Sequence, residues 1–484
     1  MVDGCSGARC SGLRMGDGGL VVRLGEISGG EHVVAGEAAV AEYLSDATGL
    51  NRPLNVPPNV VALPAAVVKP AGSEEVARIV ALALDRGIAL VPRGGGTGLW
   101  GGATATKGCI VVSTERMTAG PEIHRDDLYA VVGPGVITGR FRREVERRGL
   151  FYPIDPASED SSTVGGNVAE GAAGMRGLKY GSTRNYLLGL EVVTPEAKIV
   201  NVGARTVKSV AGYDLTRLLV GSEGTLGIIT SVTLKVLPRP QEQRRLAFEF
   251  PDRVRAAEAA SEIVAAGFAP SALEMMEAAL LVEFDGPRSL CDEEASKVKG
   301  VLEAGGGVSV GGGARVGGRG EGDETERAER VEVEKADKVE KVWQTRRGVL
   351  GDLIKGSAAV EIRTLRVPKA KLGAMVEVAG GAARKHGVRL VIFGHVGQGL
   401  IHAALVVGSP DRNALDRAVG MVSELRGDCT TLGGAVQGEI EICTGRIPAP
   451  KIATGAVGLE AMGKIKVAFD PKGIMNPGKM PYDT

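Results

Sequence analysis

The amino-acid sequence predicts an α+β protein of two or three domains, on three observations. Its 484 residues are too many for one ordinary core. Stretches of helical and of strand period follow one another along the chain. Its 72 glycines gather in clusters, and clustered glycine marks tight turns or close approach of backbone to a ligand.

Residues 1–57 read as an N-terminal extension ending near Pro57 and Pro58, with a short helix over Ala35 to Leu44. Residues 58–240 read as a first domain. It opens on a strand over Val60–Leu63, then a helix from Ser73 to the stop at Gly87. Ser73 suits a helix cap, Glu74 and Glu75 suit its positive end, and Val76, Ile79, Val80, Ala83 and Leu84 make one apolar face. Ile88–Val91 is a buried strand running into Pro92-Arg93-Gly94-Gly95-Gly96-Thr97-Gly98. A second βαβ-like passage follows: strands Ile110–Ser113 and Leu128–Val132, then a helix near Thr138–Arg148. Further strands are expected near Leu190–Val193 and Ile228–Leu237, with a boundary at Pro238 and Pro240. Residues 241–445 alternate strands and helices in a second domain. It holds a glycine-rich loop between Gly305 and Gly322 and a charged helix from about Glu324 to Val342. Residues 446–484 form a C-terminal segment.

Composition excludes several functions. Lys plus Arg equals Asp plus Glu, 58 against 58, so no basic excess exists to track a phosphate backbone, and no nucleic-acid partner is expected. Cys5, Cys10, Cys109, Cys291, Cys429 and Cys443 form no CxxC pair, so zinc fingers and ferredoxin-type clusters find no support. Reduced thiols fit a cytoplasmic protein. No apolar run reaches the ~20 residues of a membrane span; peripheral membrane contact stays open.

The chemistry concentrates in a few passages. A strand opening into consecutive glycines exposes backbone N–H groups that suit a pyrophosphate, although Pro92–Gly98 is neither a GxGxxG nor a P-loop. It is followed by Tyr152-Pro153-Ile154-Asp155-Pro156-Ala157-Ser158, by Ser162-Thr163-Val164-Gly165-Gly166-Asn167-Val168-Ala169, by Lys179-Tyr180-Gly181, and by Gly221-Ser222-Glu223-Gly224-Thr225-Leu226-Gly227-Ile228-Ile229-Thr230. In order and spacing these blocks resemble the FAD-binding domain of the vanillyl-alcohol oxidase and p-cresol methylhydroxylase superfamily. The resemblance extends from about Ala62 to Met480. It implies a two-subdomain FAD-binding domain joined to an α+β cap domain with an antiparallel sheet, and a C-terminal segment that returns to the flavin. It implies that Pro92, Arg93, Gly94, Gly95, Gly96, Thr97 and Gly98 wrap the pyrophosphate. Asp155, Pro156, Ala157, Ser158, Thr163, Gly165, Gly166, Asn167, Gly174, Tyr180, Glu223, Gly224, Ile228, Ile229 and Asn476 would line the rest of the dinucleotide. Some relatives tether FAD through a histidine beside the glycine loop. Thr97 and Trp100 stand here instead, which implies non-covalent FAD. Gly171-Ala172-Ala173-Gly174 stands where relatives carry Asn and two glycines; both versions are small.

The C-terminal half narrows the resemblance. In Phe393-Gly394-His395-Val396-Gly397-Gln398-Gly399-Leu400-Ile401-His402, a hairpin would bring the two histidines together. The block resembles that of D-lactate dehydrogenases, glycolate oxidase flavin subunits and D-2-hydroxyglutarate dehydrogenases. That implies one divalent metal (Zn, Mn or Fe) on His395, His402 and Glu439, Lewis-acid help for the substrate hydroxyl, and a carboxylate-binding arginine at Arg346, with Arg347 as neighbour. Relatives follow the ligand Glu with a base histidine, but this chain has Ile440 and then Glu441: either another group takes the proton, with Glu441 the nearest candidate, or the metal-bound oxygen needs no such base, or the activity is altered. Gln398 and Leu400 replace residues that are usually Asp and Asn. The implied activity is oxidation of a small D-2-hydroxy acid such as D-lactate or glycolate, with electrons passed to a quinone, a cytochrome, an electron-transfer flavoprotein or an iron–sulfur subunit. Two other readings stay open: a non-catalytic FAD-binding subunit of a larger oxidoreductase, and a transferase resembling alkyl-dihydroxyacetone-phosphate synthase.

Overall fold

A computed structural model describes residues 18–47, 63–206, 212–311, 314–315, 326–357, 359–407, 412–437 and 455–480. Val60 to Ala62, at the expected first strand, lie outside these residues, and Leu63 is not in a strand.

The first sheet holds β1 (Val33–Val34), β2 (Ala66–Val68), β3 (Leu90–Arg93) and β4 (Ile110–Ser113) in the order β1-β2-β4-β3. Between β2 and β3 runs the helix Ser73–Arg86, which buries Val76, Ile79, Val80 and Ala83 and ends on Gly87 at φ 63°. Ser73 does not cap it. The helix does start at Ser73, but the cap position falls one residue earlier, on Gly72, and Glu75 Oε2 takes the stray Ala71 N–H at 3.0 Å. Both β2 and β3 pair parallel with β4. The expected second βαβ-like passage therefore cannot form, because both edges of β4 are already taken.

The next strands are β5 (Glu122–His124), β6 (Tyr129–Val132), β7 (Leu150–Phe151), β8 (Leu187–Val193), β9 (Ile199–Gly203), β10 (Ile228–Lys235) and β11 (Leu237–Pro238). Five make an antiparallel sheet in the order β5-β6-β10-β8-β9, while β7 and β11 pair with each other. The expected strand Ile228–Leu237 is thus split, because its last residues change partner.

The third sheet collects β12 (Glu242–Glu249), β13 (Ala272–Met276), β14 (Ala279–Gly286), β15 (Val308–Ser309), β16 (Ala314–Arg315), β17 (Ala359–Arg366), β18 (Arg389–Gly394), β19 (Leu400–Val407) and β20 (Ala435–Gln437). Its path is β15-β12-β14-β13-β18-β19-β17-β20, with β16 also beside β12. The glycine-rich stretch expected as a loop therefore contributes two short strands to the β12 edge. One face of this sheet packs on helices Arg253–Ala265, Arg288–Ala304, Leu372–His386 and Arg412–Thr431 through the largest apolar core of the molecule. The other face looks toward the first two sheets. The charged helix runs over Glu326–Lys355, well past Val342, because Trp343 and Arg346 are buried and extend its packed face.

After the helix Gly455–Phe469 the chain comes back to the first sheet. Asn476 N–H donates to Leu90 O (2.7 Å) and Leu90 N–H to Ile474 O (2.7 Å). The buried Lys466 ammonium fixes this return by donating to Thr225 O, Met475 O and Asp470 Oδ2 at 2.6–2.8 Å.

Candidate functional site

A cavity of about 1060 Å³ lies between the first two sheets and the open face of the third. Its first wall is backbone. β3 delivers the chain into Gly94–Gly98, and among the described residues no hydrogen bond of the chain is donated by the amides of these five residues. Unmatched backbone donors beside a cavity form a nest for an anion. Glycine is required by geometry at two of them. A Cβ on Gly95 would collide with the Ser161 carbonyl, and Gly96 sits at φ +64°. Arg93 does not reach out to a ligand with its fork. Its guanidinium is buried and donates to Ser45 O (2.9 Å), Ala103 O (3.2 Å) and Glu42 O (3.1 Å), so it braces the loop from behind.

Pro92, Pro156, Ala157, Ser158, Thr163, Gly165, Gly166, Asn167, Glu223, Gly224, Ile228 and Ile229 continue this wall. Thr163 accepts from Gly166 N–H (3.2 Å) and so caps the short helix Val164–Glu170. Asn167 donates from Nδ2 to Thr138 Oγ1 (2.7 Å).

Four residues proposed for the cofactor stand behind the wall instead. The Tyr180 hydroxyl donates to Asp285 Oδ2 (2.8 Å), and burial followed by that carboxylate raises its pKa. Asp155 is buried 3.6 Å from Arg176 Nη1 and 3.5 Å from Arg347 Nη2. Gly174 packs against Asp155 and its carbonyl accepts from Gln398 Nε2 (3.0 Å). Asn476 donates to Gly102 O (2.8 Å) and Glu223 O (2.7 Å). None of the four is among the residues that line the cavity.

The opposite wall is made of side chains. Arg346 is 3% exposed, and its Nη2 donates to Glu274 Oε2 (2.7 Å). The other oxygen of Glu274 lies 2.7 Å from His395 Nδ1. A carboxylate accepts, so this Nδ1 donates and Nε2 is the ring nitrogen not engaged by Glu274. His402 Nδ1 lies 2.9 Å from Thr364 Oγ1. The two imidazole centroids are 5.5 Å apart, and the Arg346 guanidinium sits 5.1 Å from the Phe393 ring centre. Burial, then His395, then Arg346 push the His402 pKa well below its ordinary value, so this ring is neutral. Arg346 Nε is buried without a partner. Arg347 is engaged by Glu159 Oε1 (2.9 Å) and Asp155.

Glu439 and Glu441 lie outside the described residues. β20 ends at Gln437, whose backbone registers with Thr364 in the site's sheet. Among the described residues no group of three His, Cys, Asp or Glu could hold a metal, and no helix is long and apolar enough to cross a membrane.

Sequence reasoning missed Glu274, Thr364 and a seam between the two walls. In that seam Arg176 Nε donates to Glu283 Oε1 (2.7 Å) and Arg245 Nε to Glu283 Oε2 (2.8 Å). Although burial works against it, Arg176 and Arg245 hold the Glu283 carboxyl down to about 2. The available signal was a lone carboxylate inside an apolar strand, as in Ser-Ala-Leu-Glu274-Met-Met and Leu-Leu-Val-Glu283-Phe, since such residues are rarely buried without a partner.

Comparison with known proteins agrees with this architecture. Residues 64–203 match the FAD binding domain and residues 276–480 match the C-terminal domain of FAD linked oxidases. The chain is 33% identical over 475 residues to the glycolate oxidase subunit GlcD of Bacillus subtilis, covering 94% of this chain and 95% of that protein. It is 35% identical over 438 residues to a D-lactate dehydrogenase of Archaeoglobus fulgidus, covering 86% and 90%. A p-cresol methylhydroxylase structure superposes with a TM-score of 0.74 at 16% identity, covering 96% of each chain, and shares the fold.

Proposed function

We propose that this chain, which belongs to the family of FAD-linked oxidases, oxidises a small 2-hydroxy acid and hands the electrons to a separate acceptor. It is an FAD-dependent oxidoreductase of the same family as enzymes named glycolate oxidase and D-lactate dehydrogenase. The substrate is our reading. The observation that carries it is the linked trio Arg346–Glu274–His395, whose arginine and histidine stand on the cavity wall facing the glycine loop.

The residues present fit FAD. Unmatched amides at Gly94–Gly98 suit its pyrophosphate, and the glycine-rich wall admits a flat dinucleotide. When bound, FAD supplies the hydride acceptor. The chain's own part is to bind and orient. Arg346 receives the carboxylate of the acid through the donors that Glu274 leaves over, a contact in which a guanidinium fork fixes direction as well as position. His395 and His402 then face the hydroxyl-bearing carbon with their Nε2 atoms. Their Nδ1 partners, Glu274 and Thr364, set ring orientation. Two imidazoles held from behind in this way are also the donor set that a divalent Zn, Mn or Fe takes. With Glu439, His395 and His402 would hold such an ion, which would polarise the hydroxyl oxygen. Glu441 would accept the hydroxyl proton. The acceptor of the electrons is a quinone, a cytochrome, an electron-transfer flavoprotein or an iron–sulfur subunit.

The test is anaerobic reduction of the purified yellow protein by D-lactate, glycolate and D-2-hydroxyglutarate, with and without added divalent metal. Loss of the oxidised-flavin band supports the reading; a flavin that stays oxidised with every 2-hydroxy acid overturns it. Glu441→Gln should cut the rate of bleaching about 100-fold if this carboxylate is the base.

A further inference from the structure

Within the hydroxy-acid reading above, on which this step rests, the geometry points to a narrower substrate class. We infer that the enzyme takes 2-hydroxy monocarboxylic acids whose substituent on Cα is apolar and larger than a methyl group, aliphatic or aromatic. The juxtaposition is a buried cation and two imidazoles beside a hydrocarbon patch made by Leu350, Ile354, Ile362 and Leu400.

Alternate residues of a strand share a face. On β17 that puts Ile362 beside Thr364, and on β19 Leu400 beside His402; all four line the cavity. Register places Phe393 of β18 and Thr364 of β17 opposite His402, and the Phe393 and His402 rings are 5.2 Å apart. Residues four apart on a helix also share a face, so Arg346, Leu350 and Ile354 look into the cavity together. Ile362 and Phe393 belong to one apolar cluster against which Val349 and Leu350 pack. An acid anchored by its carboxylate on Arg346, with its hydroxyl at His395 and His402, therefore points its remaining substituent at Ile362, Leu350 and Leu400.

Charge argues the same way. Among the described residues the third-sheet side of the cavity offers two cations, Arg346 and Arg347. Arg347 is shared between two carboxylates, Glu159 and Asp155, whereas Arg346 meets one, Glu274. A dicarboxylate such as 2-hydroxyglutarate would bring its second carboxylate to hydrocarbon with no counter-charge, which is disfavoured. Glycolate would leave the apolar wall unfilled. Each methylene buried there is worth roughly fourfold in affinity, so an isobutyl or benzyl group should gain at least about tenfold over hydrogen.

The FAD-loaded enzyme is assayed anaerobically with both enantiomers of glycolate's homologues: lactate, 2-hydroxyisocaproate, 3-phenyllactate, malate and 2-hydroxyglutarate, with glycolate itself as reference. The expected kcat/KM for 2-hydroxyisocaproate or phenyllactate is at least about tenfold above glycolate and about 100-fold above 2-hydroxyglutarate. In parallel, perturbation of the flavin spectrum gives the Kd of 2-oxoisocaproate and of 2-oxoglutarate, without turnover. Tighter binding of 2-oxoisocaproate supports the inference even if no acid reduces the flavin, an outcome that would sink only the oxidation reading. Equal or tighter binding of 2-oxoglutarate, or equal turnover of glycolate, overturns the inference while leaving oxidation intact. Ile362→Asn, or Leu350→Asn should the first not fold, is expected to lower kcat/KM for 2-hydroxyisocaproate about tenfold with the flavin retained; an unchanged preference overturns the assignment.

Discussion

The wall around Gly94–Gly98 and the wall around Arg346, His395 and His402 face each other across one cavity, yet they are made of different atoms. The first presents peptide amides where the glycines keep side chains out: a Cβ at Gly95 has nowhere to go. The second presents side chains whose positions are set by other side chains, Glu274 for Arg346 and His395 and Thr364 for His402. Backbone amides bind any diphosphate of the right shape and carry little information about what reacts. The side-chain wall carries the selectivity, and its accuracy depends on the partners that orient its arginine and histidines. The first wall should therefore fail by losing the cofactor, and the second by losing rate or selectivity with the cofactor in place.

The largest effect is expected at the seam joining the walls. Glu283→Ala leaves Arg176 and Arg245 buried without their shared carboxylate, which should cost about 3–5 kcal/mol of stability. Thermal unfolding measures it, and a change under about 1 kcal/mol would mean that the seam does not join the walls. The sign with pH follows from the depressed carboxyl. Held down to about 2 in the fold, against an ordinary value near ~4.3, Glu283 contributes stability that is present above the ordinary value. That contribution is lost as pH falls through the folded one. Glu283→Gln should accordingly flatten the loss of stability of the wild type between about pH 4 and pH 2.

Next comes the amide wall. Gly95→Val should weaken FAD at least ~100-fold, near 3 kcal/mol, and yield pale protein with the fold intact by circular dichroism. A fully yellow variant would break the distinction drawn here. On the side-chain wall, Arg346→Lys keeps the charge but loses the fork. It should lower kcat/KM about 30-fold, about 2 kcal/mol, with flavin content unchanged. Loss of flavin together with rate would show that the two walls are not separable. The smallest effect is expected for Thr364→Val, which removes the partner of His402 Nδ1. About tenfold weaker retention of added divalent metal, read by elemental analysis after dialysis, is the expected outcome. Unchanged retention would free Thr364 of that role.

How much of this was legible depended on how local each feature is. The strand–glycine loop at Pro92–Gly98 and the helix ending on Gly87 are set by residues adjacent in the chain, and both were readable. The hairpin carrying His395 and His402 is local too, and its rings do approach. Tyr180 looked like a wall residue from its block, yet Asp285, more than a hundred positions away, holds its hydroxyl elsewhere. Arg93 looked like a ligand-facing guanidinium and is instead consumed by three carbonyls.

The sequence by itself determined where side chains are absent and where turns are forced, because glycine and proline act on their own backbone and need no partner to do so. It also determined the alternation that makes β17, β18 and β19 two-faced. Only the tertiary structure decided which buried charges meet: Glu274 with Arg346 and His395 across 72 and 121 positions, and Glu283 with Arg176 across 107. A buried charge is tolerated only where folding brings its counter-charge, and no local pattern of residues encodes that meeting.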